Sequence, residues 1–581
     1  MRRSGGYRAI LMLALLIGIG SLWMSGCETT CTFECGMPGR PEVLKYPLVE
    51  GASGAATILD PTLAGDPASR TMVSLLYDGL VTLDQRLQDE NWAAQKVDVS
   101  PDGLTYTFHL HAGLAFASGT PVTSADYAYS INRALDPCLA SPLASDLFAI
   151  KDAATFAGEL CAHGQIAVNT KGGQTGPLIT TLLGSALQTP DDHTLVVELA
   201  QPAGYFLSAL TSPAAVALDP TLVGPDLASE QWLTQLVTSG GTSGMFTVTR
   251  LDLGGGPLVV RPNPHWWGLS QGRRTYLTEI DFTFFKSAET AYLAYQAGQF
   301  HVDTPPLAHL ATVQAQPDFH ELGALDYHGL SVNWTKPPLN NLDARQAVCL
   351  AIDRDALNRA ALGGTVLPGW HLIPTGMPGF NPTATGPDGV AGAQGDAATA
   401  ARHWAAYRAS LGDSATSQIS YAYNRDDPYA KAIANALRAQ WQQALGIQAI
   451  LKGESHAAWQ NDLDAGNYLI APISIAAAYP DPQQFLSQPF LNVSDAQLPD
   501  VPQADVLMRQ ADATTNQTQR LEDYQRAEQL LVHKVATCPL YQSQLFYQVR
   551  QCVHGFLLDS MGLMPLDAWA GTYLDNSCPN V

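Results

Sequence analysis

Two residues that can hold a ligand, a tyrosine and an aspartate, stand in the segment Ser474 to Leu486, SIAAAYPDPQQFL. Tyr479 and Asp481 each precede a proline, and this disfavours helical torsions and pushes both residues into extended geometry. The run of small and apolar residues before them is typical of a buried strand. A phenol and a carboxylate at the stiff exit from such a strand are well placed to bind a ligand.

The sequence offers little for metal binding or covalent catalysis. His109 and His111 share one face of a predicted strand, but no third ligand stands at zinc-like spacing, so a solvated or packed pair is the alternative to a metal site. The chain contains no H-E-x-x-H, G-x-S-x-G, G-x-x-x-x-G-K-[ST] or G-x-G-x-x-G motif. We predict no catalytic residue, no metal and no cofactor.

Composition narrows the classes of partner. The chain has 581 residues, 46% of them hydrophobic, which predicts a globular protein of at least two lobes. Only 14% of the residues are charged, and the net charge is −22. Nucleic acid requires basic patches that displace counterions, and a polybasic contact with a membrane surface requires an excess of cations. Both partners are therefore disfavoured.

The N-terminus has the pattern of an export signal. Three arginines precede the apolar run AILMLALLIGIG, which is too short to span a bilayer comfortably and ends in small residues before Cys27. The ending Met-Ser-Gly-Cys resembles the lipobox of bacterial lipoproteins. It predicts a signal peptide at 1–26, lipid on Cys27 and a polar tether at 27–47. The alternative is an ordinary signal with a chance cysteine.

Eight further cysteines suit disulfides, because an even number in an exported chain indicates pairing. Cys138 and Cys161 flank a loop-rich insert and form one candidate pair. A second candidate pair is Cys538 with Cys552. The segment between these two cysteines predicts two short strands that fold back on each other. Cys349 lies on a helix face predicted to be buried, where a free thiol is the alternative. Cys31 and Cys35 lie in the predicted tether.

The elements that must position these residues follow an α/β pattern. VDVSPDGLTYTFHL predicts a hairpin that turns at Pro101 to Gly103. Thr123 and Asp126 form a capping pattern at the start of a predicted helix. DARQAVCLAIDR and YAKAIANALRAQWQQALG each carry one apolar stripe at helical spacing, and the strand IQAIL follows the second of these helices. Units of this kind build sheets covered by helices.

Seven segments occur in this order along the chain: ILDPTLAGDPAS, LLYDGLVTLD, SPDGLTYTFHLHAGLAFASGTPVTSADYAYSINRALDP, LVVRPNPHWWG, LSVNWTKPPLNNLDARQAVCLAIDRDAL, IPTGMPGFNP and AYPDPQQFL. At these segments the sequence resembles the peptide/nickel-type solute-binding proteins of ABC transporters, extracellular family 5. The resemblance covers about Gly51 to Gly571, and Ser100 to Pro137 is similar to the signature region of the family.

The resemblance implies an α/β receptor of the type II periplasmic-binding class, whose two lobes close on a ligand about a hinge. The first lobe would comprise residues 48–325, with an extra subdomain inserted, and 541–581. The second lobe would comprise residues 326–540.

The resemblance also implies where a ligand binds. Backbone groups of Ser474 and Ala476 would pair with an extended peptide, as in strand addition, and Gly65 and Pro67 would face them from the first lobe. In peptide receptors of the family an aspartate just before the tyrosine of this motif binds the ammonium group of the peptide. This chain has Ala478 there.

Two alternatives follow from Ala478. Asp481 supplies the anion instead, or the ligand has no free ammonium group and is a blocked peptide, a sugar or another polar solute. In either case four aromatic residues of the second lobe would cover its apolar faces, with polar residues beside them, although core packing is the alternative for each aromatic. These aromatic and polar residues are Trp459, Tyr468, Tyr479, Tyr423, Asn424 and Arg425.

The sequence therefore predicts a receptor, not an enzyme, anchored through Cys27 to the outer face of the cytoplasmic membrane or in the periplasm. It would deliver a peptide or similar polar solute to the permease subunits of an ABC importer. We expect a monomer that contacts the membrane only through its lipid. The alternatives are a receptor for a non-peptide ligand, a surface hydrolase and a sensing lipoprotein.

Overall fold

A computed structural model describes residues 42–49, 59–162, 164–167, 178–224, 231–252, 256–411, 418–491 and 501–578. The predicted signal peptide, Cys27, Cys31 and Cys35 lie outside these ranges. The end of the predicted tether lies inside them, and it differs from the prediction because the first strand already begins at Val43. Across the described ranges no helix combines the length and apolar character that crossing a bilayer requires.

The strands are β1 Val43–Val49, β2 Val81–Leu83, β3 Asp89–Asn91, β4 Ala94–Val99, β5 Thr105–Leu110, β6 Leu160–Ala162, β7 Gln165–Ala167, β8 Leu187–Asp191, β9 Thr194–Glu198, β10 Phe246–Arg250, β11 Leu258–Pro262, β12 Glu279–Phe285, β13 Val302–Asp303, β14 Phe319–Gly323, β15 Asp326–Val332, β16 Val366–Pro368, β17 Ser420–Asn424, β18 Ile450–Glu454, β19 Ile470–Ala476, β20 Thr537–Val549, β21 Val553–His554 and β22 Tyr573–Leu574.

The helices are α1 Pro67–Leu76, α2 Ser124–Ala134, α3 Ala153–Ala157, α4 Phe206–Ala209, α5 Pro220–Val223, α6 Leu236–Ser239, α7 Ala288–Gln296, α8 Leu310–Val313, α9 Leu342–Leu350, α10 Arg354–Ala361, α11 Ala397–Leu411, α12 Ala430–Leu445, α13 His456–Asp464, α14 Ser487–Leu491, α15 Pro502–Ala513, α16 Gln517–His533 and α17 Leu566–Gly571.

Within the described residues, the first half of the chain forms two four-stranded sheets. One has the order β1-β12-β11-β10, and the other is the antiparallel sheet β4-β5-β9-β8. The predicted hairpin is confirmed as β4 and β5, and Gly103 takes the positive φ of 70° that its turn requires. The predicted cap is also confirmed, since Asp126 Oδ2 accepts the backbone N–H of Thr123 at 2.7 Å at the start of α2.

The larger sheet comes from the second half and has the order β13-β20-β15-β19-β17-β18, with β14 and β16 also paired to β20. The segment around Tyr541 is therefore one strand of 13 residues, not two short strands that turn back. The unbroken strand β20 pairs with β15 near Cys538 and with β14 near Phe546. This strand links the two halves of the molecule.

The buried hydrophobic residues of the described ranges form two large clusters. One contains residues from Leu44 to Val302 and resumes in the C-terminal segment from Tyr547, and the other contains Leu87 and residues from Leu325 to Leu540. The chain passes between the clusters at Gly323 to Asp326 and again within β20. These two segments touch, because the N–H of Ala324 donates to Ser543 O and the N–H of Ser543 donates to Asp326 Oδ1.

The first cluster encloses a carboxylate held by indole groups. Asp78 is 2% exposed and accepts the Nε1–H groups of Trp92 at 2.8 Å, Trp266 at 3.2 Å and Trp267 at 2.7 Å. Burial raises the pKa of Asp78 to about 6, although the three indole donors lower it in part. These hydrogen bonds join the segments LLYDGLV and NPHWWG, which are far apart in sequence, within the first cluster.

The two histidines that were weighed as metal ligands have other partners. His109 Nε2 lies 2.9 Å from Asp98 Oδ2 at the surface. The ring of His111 stacks on Trp267 with centroids 4.6 Å apart. No group of three or more metal-ligating side chains occurs within the described ranges.

The described ranges contain three disulfides. Cys138–Cys161 confirms the first candidate pair. The second candidate is wrong, because Cys538 pairs with Cys349 and Cys552 pairs with Cys578. The free-thiol alternative for Cys349 is therefore also wrong, although its helix face is buried as predicted. The second candidate pair fails because β20 is one extended strand. Cys538, near its start, lies beside α9, which carries Cys349, whereas Cys552 follows the other end of the strand.

A buried glutamate in the second lobe leads to a prediction on pH. Glu528 of α16 is 1% exposed, and its Oε1 accepts the N–H groups of Leu372 at 2.7 Å and Ile373 at 2.9 Å. Burial raises its pKa from 4.5 to about 7 despite these donors. Between these two values the folded state binds more protons than the unfolded state, so this group makes the free energy of unfolding fall as pH rises.

Glu528→Gln keeps the acceptor oxygen and removes the titration. Calorimetry measures the difference between the midpoint temperature of the variant and that of the wild type. We expect this difference, variant minus wild type, to be larger at pH 8 than at pH 5. Glu522→Gln, at an exposed position of the same helix, is the control and should leave this difference unchanged with pH. A difference for Glu528→Gln that does not vary with pH would contradict the prediction.

Candidate functional site

A cavity of about 630 Å³ lies between the two clusters and is the candidate site. Its walls come from the start of α1, the loop before Asp146, the crossing segment at Leu325, and the residues that follow β19. Four predicted site residues line it, namely Gly65, Pro67, Ala476 and Ala478. Gly65 and Pro67 therefore line the same cavity as Ala476 and Ala478.

The first wall is fixed by a helix cap. Asp66 accepts the N–H of Ser69 at 3.0 Å, and Pro67 occupies the first turn of α1, where its missing N–H costs nothing. Gly65 precedes this cap and is exposed to the cavity. A Cβ at Gly65 would meet only the side chain of Pro142, at 3.5 Å. The wall is therefore rigid but leaves space in front of it.

The opposite wall is the end of β19. This strand pairs along its full length with β15, but β17 pairs with it only at Tyr421 and Ile470. From Ala471 to Ala476 no described strand lies along the β17 side of β19. Ser474 and Ala476 are exposed there, and Ser474 lies on this strand without lining the cavity. An open strand edge of this kind presents backbone groups that an extended chain can pair with.

Charged side chains surround the cavity. Arg70 Nη2 donates to Ala478 O across the cleft at 2.5 Å. Burial lowers the pKa of Arg70, and Asp146 and Asp559 partly offset the effect. Burial also raises the pKa of both aspartates to about 6, while Arg70 acts in the opposite direction. Arg70 is not among the residues predicted above, because the sequence marks it only as a cation one turn into α1.

The Tyr-Pro-Asp-Pro bend lies at the contact between the lobes. Tyr479 is 2% exposed, its hydroxyl donates to Gln483 Oε1 at 2.9 Å, and its ring is stacked with Tyr205 of the first lobe, the centroids 6.3 Å apart. Beside it the N–H of Gly204 donates to Asp512 O at 2.8 Å. A side chain at Gly204 would collide with the carbonyl of Thr514, so this close approach requires glycine.

Asp481 does not line the cavity. It is 3% exposed, it accepts the N–H of Gln483 at 2.9 Å, and it forms an ion pair with Arg520 of α16. A carboxylate paired in this way is not available to a ligand. The structure therefore places Asp481 in the core of the second lobe instead of at the anion position for which it was considered, because Arg520 lies behind the bend.

The remaining predicted residues lie outside the lining of this cavity. Tyr423 is 8% exposed and stacks on Tyr421. Asn424 contacts His456, and the N–H of Arg425 donates to Glu454 O. Trp459 packs beside Tyr468 in a small cluster that includes Ala471. The cluster borders the open edge of β19 but does not reach Ala478.

Known proteins resemble this chain in sequence and in fold. The family model for bacterial extracellular solute-binding proteins, family 5 Middle, matches residues 90–497. The oligopeptide-binding protein OppA of Bacillus subtilis (strain 168) is 26% identical over 495 residues, which cover 83% of this chain and 85% of that protein. The probable deoxycholate-binding periplasmic protein YgiS of Escherichia coli (strain K12) is 26% identical over 512 residues, covering 86% and 88%.

Among solved structures, the unliganded open form of the periplasmic murein tripeptide binding protein MppA has a TM-score of 0.75 at 22% identity. The match covers 94% of this chain and 99% of that chain. It confirms the predicted two-lobed α/β fold.

Proposed function

The chain belongs to the bacterial extracellular solute-binding proteins of family 5, and we propose that it binds a peptide or similar polar organic solute between its two lobes. In this proposal the loaded receptor delivers the solute to the permease subunits of an ABC importer. The ligand stabilises the closed arrangement, and the importer can then distinguish loaded from empty receptor. Relatives named for oligopeptide binding support a peptide as the solute.

The observation that carries the proposal is the open edge of β19 beside the cavity. Backbone pairing along Ala471 to Ala476 would bind an extended peptide regardless of its side chains, and Gly65 leaves room opposite. The lobe boundaries of 48–325, 326–540 and 541–581 are part of the proposal, and the division of buried residues into two clusters supports them.

The proposal includes a lipid anchor at Cys27, an extracytoplasmic location and a monomeric receptor without enzymatic activity. The export-signal pattern and the family support the location. Labelling cells with a radioactive fatty acid should mark the protein, and Cys27→Ser should abolish the label. Equal labelling of both proteins would contradict the anchor.

A second candidate ligand class is favoured by Ala478. Without a carboxylate at this position, a solute that lacks an ammonium group remains suitable, and one relative is named for deoxycholate binding. The same cavity would then enclose a largely apolar molecule with a few polar contacts.

A retention experiment tests peptide binding. The purified protein is incubated with a pool of random tripeptides and examined by native mass spectrometry, where we expect intact peptides retained at one per protein. Gly65→Trp should fill the cavity and abolish retention. Gly571→Trp is the matched control, because within the described structure a Cβ there meets no atom within 4 Å.

Two outcomes would contradict the proposal. Hydrolysis of the peptides without stoichiometric retention would favour a surface hydrolase. Retention of no tripeptide by the wild type, together with binding of deoxycholate, would favour the second ligand class.

A further inference from the structure

The missing carboxylate at position 478 raises the question of where a cationic ligand group would bind. Among the described residues that line the 630 Å³ cavity, two are acidic, Asp146 and Asp326, and one is basic, Arg70. With Asp559 close behind Arg70, carboxylates outnumber cations three to one around this end of the cleft. The cleft therefore favours a cation even though Ala478 is neutral.

Asp146 is already committed to other groups. It is 6% exposed, its Oδ2 accepts the hydroxyl of Ser212 at 2.8 Å, and Arg70 lies close enough to act on it electrostatically. A carboxylate that is buried and partly neutralised in this way has little capacity left for a ligand.

Asp326 is placed differently. It is the first residue of β15 and lies opposite Ala476 of β19, two residues from position 478. Its Oδ1 accepts the N–H of Ser543 at 2.7 Å. Its Oδ2 has only a long contact of 3.4 Å with His328 Nε2, and this nitrogen lies closer, at 3.0 Å, to Ser543 Oγ. The side chain is 17% exposed. One carboxylate oxygen thus retains accepting capacity at the cavity wall.

A second cavity, of about 320 Å³, meets the first at this residue. Asp326 lines both cavities, and it is the only carboxylate among the described residues that line the second one. The aromatic rings of His371, Phe380 and Tyr541 form part of the second cavity's walls. A ligand group at this junction would therefore meet the Asp326 carboxylate from either cavity.

We propose that Asp326 receives the cationic group of the ligand, a primary ammonium or guanidinium, at the junction of these two cavities. The anion that selects the ligand is then supplied by the segment that crosses between the lobes instead of by the strand exit at Ala478. This inference rests on the proposed function, because it concerns the ligand of the same cleft. The cation is the amino terminus of a peptide or a basic side chain, and both have the same chemistry here.

Asp326→Asn tests the inference, because it keeps the Oδ1 acceptor for Ser543 and removes the charge. Three probes separate the two sources of the cation: random tripeptides without Lys, Arg or His; the same pool acetylated at the amino terminus; and an acetylated pool containing Lys. Asp146→Asn is the matched control, since it removes the same charge from the same cavity. Thermal unfolding of each variant verifies that it is folded.

We expect the wild type to retain the probes with a free cation and to discriminate against the acetylated pool without Lys. Loss of a charge-assisted hydrogen bond predicts that Asp326→Asn weakens binding of the cationic probes by about tenfold or more. Asp146→Asn should weaken it less. If the wild type binds peptides but Asp326→Asn binds the cationic probes as tightly as the wild type does, or Asp146→Asn weakens their binding as much as Asp326→Asn does, the inference is overturned. If the wild type binds no peptide, the proposed function itself fails.

Discussion

Replacement of both Cys349 and Cys538 by serine is expected to lower the free energy of unfolding of the second lobe by about 5 kcal/mol. The disulfide joins residues 189 positions apart, and a cross-link stabilises mainly by restricting the unfolded chain, more so for a longer loop. It links α9 to β20, the strand that also crosses to the first lobe. Loss of the bond should therefore loosen the second lobe around the cleft as well.

The surroundings of this disulfide add to the expected loss. Arg354 is 1% exposed, its Nη2 lies 3.6 Å from Cys349 Sγ and 3.5 Å from Cys538 Sγ, and its guanidinium stacks over Trp370. Burial lowers the pKa of Arg354 to about 9. When the lobe loosens, the guanidinium loses its stacking on Trp370 and its contacts with both sulfur atoms, which lowers the stability of the folded state further.

The matched control is the double serine variant of Cys552 and Cys578, whose bond spans 26 residues. The same entropic argument predicts a loss of about 3.5 kcal/mol for a loop of this length. Differential scanning calorimetry of both variants measures the two effects. A smaller loss for Cys349 and Cys538 than for the control would contradict the account of how the second lobe is stabilised.

Asp481→Ala is the second change with a large expected effect, a loss of about 3–5 kcal/mol of stability. It removes the partner of Arg520, which is 1% exposed, and leaves a buried guanidinium without its counter-ion. It also removes the acceptor for the Gln483 N–H at the bend. Urea unfolding followed by tryptophan fluorescence measures the loss.

The double variant Asp481→Ala with Arg520→Met is the control. Removing both charges should recover a large part of the stability, because replacing a buried ion pair by apolar groups costs less than breaking it. If Asp481 held the ligand instead, the single variant would lose ligand affinity with little loss of stability. That result would contradict its assignment to the core.

The local elements were largely predictable from the sequence. Alternating apolar residues and a Pro-Asp-Gly turn are sufficient to predict the hairpin of β4 and β5. The capping pattern of Thr123 and Asp126 is sufficient to predict the start of α2. The length of β20 was not predictable, because its residues read equally well as two strands. Only its pairing with β13, β14, β15 and β16 keeps the chain extended over 13 residues.

The cleft was predictable only in part. Family resemblance places Gly65, Pro67, Ala476 and Ala478, which line the cavity together, while the aromatic residues Trp459 and Tyr423 pack elsewhere. The partners of charged groups were not predictable, since Asp481 and Arg520 are separated by 39 positions and Asp326 and Ser543 by 217. Such pairs depend on strand register and helix packing, which local patterns do not specify.

The central claim is that a solute binds between the lobes against the open edge of β19, and a crystal structure of the protein with its retained ligand tests it most directly. The account predicts ligand density between Gly65 and Pro67 on one side and Ala476 and Ala478 on the other, with hydrogen bonds to the backbone of β19. A ligand bound elsewhere, with the space between these residues filled only by solvent, would contradict it.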